Sequence, residues 1–302
     1  MTSVPKAAAA PTLKILGSIR EVPAEAWEAL LGPDDPPFTR HAWLSAMEES
    51  GSASPATGWT PRHLTVWQGE RLIAACAAYE KAHSYGEYIY DFGWAQAAER
   101  GGIDYYPKLA LGAPLSPATA PRFAIAKDAS DPEALRALLA SAAVALAREL
   151  GMSGVHALFC TEEEARALEA AGFAHRLTLQ FHWSNPGYER FDDYLARFDS
   201  KRRHQLRREL RAPEAQGITI RSVRDAALTD VHAHAAHDFY LATCRRFPWG
   251  RVQLNRDFFV RTFRAMPEQV ELVEAMRGEE RIAGAFNLRA GGVLYGRYWG
   301  AH

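Results

Sequence analysis

The sequence predicts an α/β fold of the α+β kind, arranged as two tandem units with mostly antiparallel sheets. Three observations predict it. Alternating apolar runs come in pairs around short turns such as Gln68-Gly69-Glu70, which mark hairpins. Helical runs with cap signals lie between those pairs. The order strand, helix pair, meander also recurs on both sides of Asn185-Pro186-Gly187, a turn that reads as a domain boundary.

The chain has 302 residues, enough for two domains. Its 48% apolar and 24% charged residues are those of an ordinary globular protein. A net charge of −1 argues against a general polyanion binder. Residues 1–12 hold one lysine and a short alanine run, and read as a disordered leader without the apolar core of a signal peptide. No run of eighteen apolar residues exists, so no membrane span is expected. Cys76, Cys160 and Cys244 are far apart and form no C-x-x-C pair. Reduced, buried thiols in a cytoplasmic protein are the expectation.

The first unit is expected over residues 13–185. Pro23–Leu31 and Arg40–Ser50 read as short helices, then His63–Trp67 and Arg71–Tyr79 as strands. Asp131-Pro132 opens a helix over Glu133–Leu150, with leucines at helical spacing and Gly151 as its stop. Gly154–Cys160 reads as a strand. Thr161 and Glu164 form a capping box for a helix over Glu162–Ala171. His175–Trp183 then alternates like a strand. The second unit is expected over residues 186–302. A long helix over Tyr188–Arg211 opens it, followed by a strand at Gly217–Val223 and helices at Leu228–Phe247 and Asn255–Met266. The strands Gln269–Met276, Glu280–Leu288 and Gly292–Trp299 close it, with turns at Arg277-Gly278-Glu279 and Ala290-Gly291.

Chemistry concentrates in Ser84-Tyr85-Gly86-Glu87-Tyr88-Ile89-Tyr90-Asp91-Phe92-Gly93-Trp94 and in Tyr105-Tyr106-Pro107-Lys108-Leu109. Aromatics mixed with carboxylates and a lysine suit a cleft wall, where apolar faces hold a ligand and a few polar groups orient it. A half-buried hairpin with wet tyrosine hydroxyls fits the same residues. On the cleft reading Glu87, Asp91, Tyr105 and Lys108 line one cavity. A second concentration runs from Ser200 to Arg211, where Lys201, Arg202, Arg203 and Arg207 are candidates for an anion site made of forked donors. A solvated basic face and an RNA contact are the alternatives. His232, His234 and His237 have helical spacing, but His232 and His237 diverge by about 140°, so no metal site is assigned. Tyr240, Thr243, Arg245-Arg246 and Phe247-Pro248-Trp249-Gly250 end a helix in aromatics and arginines, and are candidates for the same cleft.

These motifs resemble those of the bacterial predicted N-acyltransferases, the peptidoglycan-biosynthesis-like family related to Fem aminoacyltransferases. That family shows S-Y-G-E-Y, an Asp, Y-Y-P-K-L and a Pro-rich turn, and the chain matches at Ser84–Tyr88, Asp91, Tyr105–Leu109 and Pro114-Leu115-Ser116-Pro117. Trp27, Pro37-Phe38 and Gly58-Trp59 also fit. Where the pattern has a glycine before an arginine, the chain has Ala120-Pro121 before Arg122. The resemblance implies two GNAT-like units, and against it the second unit is expected to be truncated at His302. The implied activity is transfer of an acyl or aminoacyl group to an amine, by direct attack. The implied co-substrate is acyl-CoA or aminoacyl-tRNA, with tRNA as a partner in the second case, a small-molecule or peptide amine as acceptor, and no tightly bound cofactor. No G-x-S-x-G nucleophile motif occurs, and no [QR]-x-x-G-x-[GA] pyrophosphate loop opens a helix.

Acyl transfer to an amine requires a base or orienting group for the amine and donors for the oxyanion. Glu87 and Asp91 are the candidates for the first role. Tyr105 and Tyr106 are candidates to hold the acyl carbonyl, and Lys108 to pair with a carboxylate or phosphate. Arg297, in Tyr295-Gly296-Arg297-Tyr298-Trp299, falls where Fem-like proteins place a substrate-facing strand and is a candidate for binding. The alternatives are a structural supporting role for each of these residues, and for the chain an inactive fragment or a non-catalytic module that binds cell-wall precursors or peptides.

Overall fold

The structure, a computed structural model, describes residues 10–248 and 250–302. Residues 1–9 of the expected leader and Trp249 lie outside the described residues. Pro11 and Thr12, read as leader, instead open strand β1 (Pro11–Leu16). β1 pairs antiparallel with β3 (His63–Gln68), with Leu13 opposite Val66 and Ile15 opposite Leu64.

β3 turns at Gly69 into β4 (Arg71–Cys76), and β7 (Ala124–Ile125) completes a sheet of order β1-β3-β4-β7. The single strand expected over Arg71–Tyr79 is in fact two. After β4 the chain crosses at Ala77 into β5 (Ala78–Lys81), which belongs to a second sheet of order β2-β5-β6-β8. That sheet comprises β2 (Trp59–Pro61), β5, β6 (Lys108–Leu111) and β8 (Val155–Ala157), and its β6–β8 pairing is parallel. Short helices α1 (Ala24–Glu28) and α2 (His41–Glu49) supply Trp27, Trp43, Leu44 and Met47 to the core. Helix α3 (Phe92–Arg100) was not expected. Asp91 stands at its N-cap position but makes no side-chain cap bond, because its carboxylate is engaged elsewhere.

The next two helices follow their sequence signals. In α4 (Pro132–Glu149) the Asp131 side chain accepts from Ala134 N at 2.9 Å. In α5 (Glu162–Ala170) Thr161 and Glu164 make the reciprocal capping box. The strand expected at His175–Trp183 does not form. Leu177, Leu179, Phe181 and Trp183 keep a strand's alternation, yet all four are exposed and no ladder receives the segment. Period 2 announces a strand only where an edge is free to pair with it. Asn185 makes the expected turn by accepting from Tyr188 N at 2.7 Å.

The long helix expected over Tyr188–Arg211 is broken into α6 (Phe191–Ala196) and α7 (Ser200–Ala215). Asp199 causes the break, since its side chain accepts from Arg202 N at 2.8 Å and starts α7 afresh. β9 (Ile218–Arg224), β10 (Val270–Arg277), β11 (Glu280–Ala290) and β12 (Val293–Ala301) form an antiparallel sheet of order β12-β11-β10-β9. β10 buries Val270, Leu272, Glu274 and Met276 on alternate positions. The buried Glu274 is held by Arg221 and Arg281, at 2.8 and 2.5 Å. Helices α8 (Asp230–Arg246) and α9 (Arg256–Ala265) pack on this sheet. Gly300 permits the close approach of α8, for a Cβ there would stand 2.0 Å from the Phe239 carbonyl oxygen.

The mixed α/β class with mostly antiparallel sheets is therefore as the sequence predicted. Among the described residues no strand before residue 158 pairs with one after 217, but side chains join the two parts into one core. Trp43 meets Phe258 edge-on at 5.1 Å, Phe38 meets Tyr295 at 5.4 Å, and the Asn255 amide donates to Ser50 O. Cys76 is buried, while Cys160 and Cys244, expected to be buried, are half-buried. No helix among the described residues is long and apolar enough to cross a membrane.

Candidate active site

Antiparallel pairing of β5 with β6 sets Lys81 directly opposite Lys108. Partners in register project from the same face, so the two ammonium groups enter one region of the interior. Both lysines are fully buried. A buried charge needs a partner, and the excursion between the two strands supplies two. Lys108 Nζ lies 2.6 Å from Asp91 Oδ2 and 2.9 Å from Glu87 Oε2, and both carboxylates are buried. Tyr105 and Tyr106 donate to the same Asp91 oxygen at 2.9 and 3.3 Å, and the rings of both tyrosines flank Lys108. From β8, His156 Nδ1 approaches Lys108 Nζ at 3.3 Å.

Lys81 is held differently. It donates to His83 O at 2.7 Å, faces His83 Nδ1 at 3.1 Å and lies over the Trp59 ring. Burial lowers its pKa to about 8 against the opposing pull of Glu87. Burial raises the Glu87 pKa, although Lys108 opposes it. For Asp91 burial is outweighed by the bonds from Lys108, helped by Ser84 and Tyr105, and its pKa falls below the usual range. His156 is lowered to about 4, by burial and then by Lys108. Two buried carboxylates thus face opposite ways in proton affinity, the pattern that separates a proton acceptor from a permanent anion. The Glu87 contact with Lys108 lacks hydrogen-bond geometry, so both Glu87 oxygens and Asp91 Oδ1 remain without a hydrogen-bond partner.

In front of this cluster a cavity of about 490 Å³ opens between the loop that follows β5 and the α8–β12 side of the molecule. Ser84, Tyr85, Gly86 and Tyr88 form one wall, and Tyr240, Arg251, Arg297 and Tyr298 the other. Arg251 stacks over Tyr85 at 3.6 Å. The Arg297 guanidinium donates to Leu115 O and to Tyr298 OH, with the Phe38 and Tyr88 rings beside it, and its Nε is buried without a partner. The Tyr240 hydroxyl accepts from Gln253 N at 2.8 Å and Leu254 N at 3.2 Å, which fixes the segment carrying Arg251. The loop is under backbone strain. Tyr88 and Tyr90 have φ of 60° and 51°, a region that bulky residues occupy at a cost of about 1–3 kcal/mol each. Gly86, at φ 87°, occupies a backbone conformation that favours glycine, and a Cβ there would push aside the end of the Leu115 side chain, 2.5 Å away.

The structure brings Glu87, Asp91, Tyr105, Tyr106 and Lys108 together as the sequence suggested, but it corrects where they lie. Glu87, Asp91 and Lys108 are buried behind the loop with Tyr105 and Tyr106 half-buried beside them, and none of the five is on the cavity wall. The Tyr105 and Tyr106 hydroxyls, expected to hold an acyl carbonyl, are spent on Asp91. Arg297 is on the wall, as are Tyr240 and Thr243, while Arg245 and Arg246 are not. The basic stretch is also separate from the cavity. Lys201, Arg202 and Arg207 are exposed on α7, Arg203 is half-buried there, Arg207 pairs with Asp192, and α7 leans on β9 and α6. Among the His residues of α8, His232 closes the capping box of its own helix and His237 packs on Phe259. Sequence reasoning missed Lys81, His83, His156, Arg251 and Gln253. Lys81 carried a signal, an isolated lysine at the end of an apolar strand, whereas Arg251 lies in an irregular segment with no pattern.

Several solved structures are similar to the chain. One is titled "Crystal structure of FemX", with 13% sequence identity and a TM-score of 0.48 over 96% of this chain and 80% of that one. None of the curated proteins matches. The pattern of the FemAB-like family, described as peptidoglycan biosynthesis/recognition, matches residues 18–302, and the chain is a member of that family.

Proposed function

We propose that this protein transfers an acyl or aminoacyl group to the amine of a cell-wall precursor or peptide, by direct attack in the cavity between the β5–β6 loop and β12. The observation that carries this reading is the joining of two features at one loop. The Ser84–Asp91 segment supplies a cavity wall with its front and, with its back, Glu87 and Asp91, the two carboxylates that face Lys108.

The chemistry requires an amine that has lost its proton, a carbonyl held near it and a leaving group. The amine nitrogen forms the new bond to the carbonyl carbon. The donor's thioester or ester bond breaks, and the coenzyme A thiolate or tRNA hydroxylate leaves and takes up a proton. Arg251 and Arg297 present fixed cationic donors beside aromatic faces, suited to a carboxylate or phosphate of either substrate. Both donors are cytoplasmic metabolites, so the reaction is expected there. Lys201, Arg202, Arg203 and Arg207 extend the reading as an outer contact, away from the cavity, for the phosphates of a tRNA donor.

A second reading has its own support. Among the described residues the cavity wall carries no carboxylate, which suits a module that binds a precursor and does not transform it. One experiment separates the two. The purified chain is incubated with a nucleotide-linked muramoyl pentapeptide and either acetyl-coenzyme A or alanyl-tRNA, and the pentapeptide is followed by mass spectrometry. A mass increase of one acyl or alanyl group supports transfer. Calorimetric binding of the pentapeptide without that product supports the binding module, and neither binding nor product defeats both readings.

A further inference from the structure

A pair of hydroxyls links the cavity wall to the cluster behind the loop. Ser84 belongs to the cavity wall, and its Oγ lies 2.5 Å from Tyr106 OH. Tyr106 has one proton and donates it to Asp91 Oδ2. With that proton directed to Asp91, the short contact is completed when the Ser84 proton points to Tyr106, and the same hydroxyl also helps to hold the Asp91 charge. The Ser84 oxygen then keeps its own lone pairs for a donor on the cavity side. From there hydrogen bonds join Tyr106 to Asp91 at 3.3 Å and Lys108 to Asp91 at 2.6 Å, and Glu87 stands 2.9 Å from Lys108 as an ion pair outside hydrogen-bond geometry.

We propose that Ser84 and Tyr106 form a proton relay that carries a proton from the acceptor amine in the cavity to the buried Asp91–Lys108–Glu87 cluster. The inference rests on the acyl-transfer reading above. The ligand ammonium gives its proton to Ser84 Oγ while Ser84 gives its own to Tyr106 and Tyr106 gives its own to Asp91. The amine is left neutral, and each hydroxyl ends with one proton as it began. Lys108 turns toward Glu87, whose Oε2 is 2.9 Å away, and releases a proton to it as Asp91 passes its own to Lys108. Glu87 ends protonated, Asp91 and Lys108 are restored, and no oxidant or further reactant is needed. Glu87 is fitted to be the terminus because its oxygens have no hydrogen-bond partner and burial raises its proton affinity. The other groups facing the path are Tyr105 beside Asp91, Lys81 with His83 from the β5 side, and His156 and Arg176 on the far side of Lys108. This arrangement also explains how a wall without a carboxylate can serve a reaction that needs a base.

The test uses the full chain with the pentapeptide acceptor and whichever of the two donors supports turnover. Ser84→Ala and Tyr106→Phe are each expected to lower kcat about a hundredfold, a typical loss for a general base. KM for the acceptor stays within about twofold, and the pH dependence of kcat moves toward the alkaline region where the free amine is neutral. Ser84→Thr restores most of the rate, which a purely structural role for the side chain does not predict. In the unaltered protein a relay of several protons gives a curved dependence of rate on deuterium fraction, and this arm requires no variant to fold. Unchanged kcat and pH profile in folded Ser84→Ala or Tyr106→Phe overturns the relay and leaves the acyl-transfer reading standing, as does a linear isotope dependence. No turnover by the unaltered protein with either donor removes the transfer reading and the relay together.

Discussion

Lys108 is the residue on which the buried cluster turns. It faces Glu87 and Asp91 with no exposure of any of the three side chains. Replacing it with methionine leaves two unpaired carboxylates in the interior, and stability should fall by roughly 3–5 kcal/mol, read from urea unfolding. Adding Glu87→Gln and Asp91→Asn to Lys108→Met should recover most of that loss, because neither replacement side chain carries a charge that the missing lysine would have to balance. A triple variant no more stable than the single one would contradict this account. Lys81 makes a separate prediction in pH. Its pKa is about 8 in the folded chain against 10.5 for the ordinary side chain. Between those values the unfolded chain binds a proton that the native chain has lost, so stability rises with pH from about 8 upward. Near pH 10 the trend reverses, since Tyr79 and Tyr88 are raised by burial and ionise first in the unfolded chain. Lys81→Met should abolish the rise and keep the reversal, as measured by thermal midpoints across that range.

At the level of elements, the start of α5 is more than a cap. Glu164 completes the box with Thr161, and its carboxylate also accepts from Arg122 N at 2.8 Å and from Phe123 N at 2.9 Å. Thr161→Ala should therefore cost about 1 kcal/mol, the usual value of a lost N-cap. Glu164→Ala strands two buried backbone donors as well and should cost clearly more, about 2–4 kcal/mol. Equal losses in paired denaturation curves would show that the Arg122 and Phe123 contacts contribute nothing. The same two residues show how far local signals reach. The box was legible because its two partners are three residues apart, while the bonds to Arg122 and Phe123 span more than forty residues and leave no pattern. α3 shows the converse. Asp91 has cap chemistry, but Lys108 and the two tyrosines claim its carboxylate, and the helix starts without a side-chain cap.

Across the whole molecule, the two candidate anion sites are separate. Arg251 and Arg297 face the cavity, whereas Lys201, Arg202, Arg203 and Arg207 belong to α7, away from its wall. Arg297 also ties β12 to the Pro-rich turn through Leu115 O. Arg297→Ala should weaken binding of the nucleotide-linked pentapeptide at least tenfold, on the scale of one charged hydrogen bond of about 1.5–3 kcal/mol. Arg203→Ala should leave that affinity within twofold. Calorimetric titration at two salt concentrations distinguishes them, because a solvated helix face contributes mainly through screened charge. A tenfold loss for Arg203→Ala with none for Arg297→Ala would move the ligand from the cavity to α7.

By itself the sequence determined the mixed α/β class, the C-terminal meander, the capped helices α4 and α5 and the helix α9, and it suggested that Glu87, Asp91, Tyr105 and Lys108 belong to one group. Those features are written in periods, caps and turns that span a few residues, or in a motif. Tertiary structure alone decided that Lys81 stands opposite Lys108, that Ser84 bridges wall and cluster, and that Arg251 faces the cavity. It also decided that the alternating segment Leu177–Trp183 finds no strand to pair with. Each of these depends on which distant backbone arrives alongside, and a local pattern carries the preference of a segment without naming its neighbour.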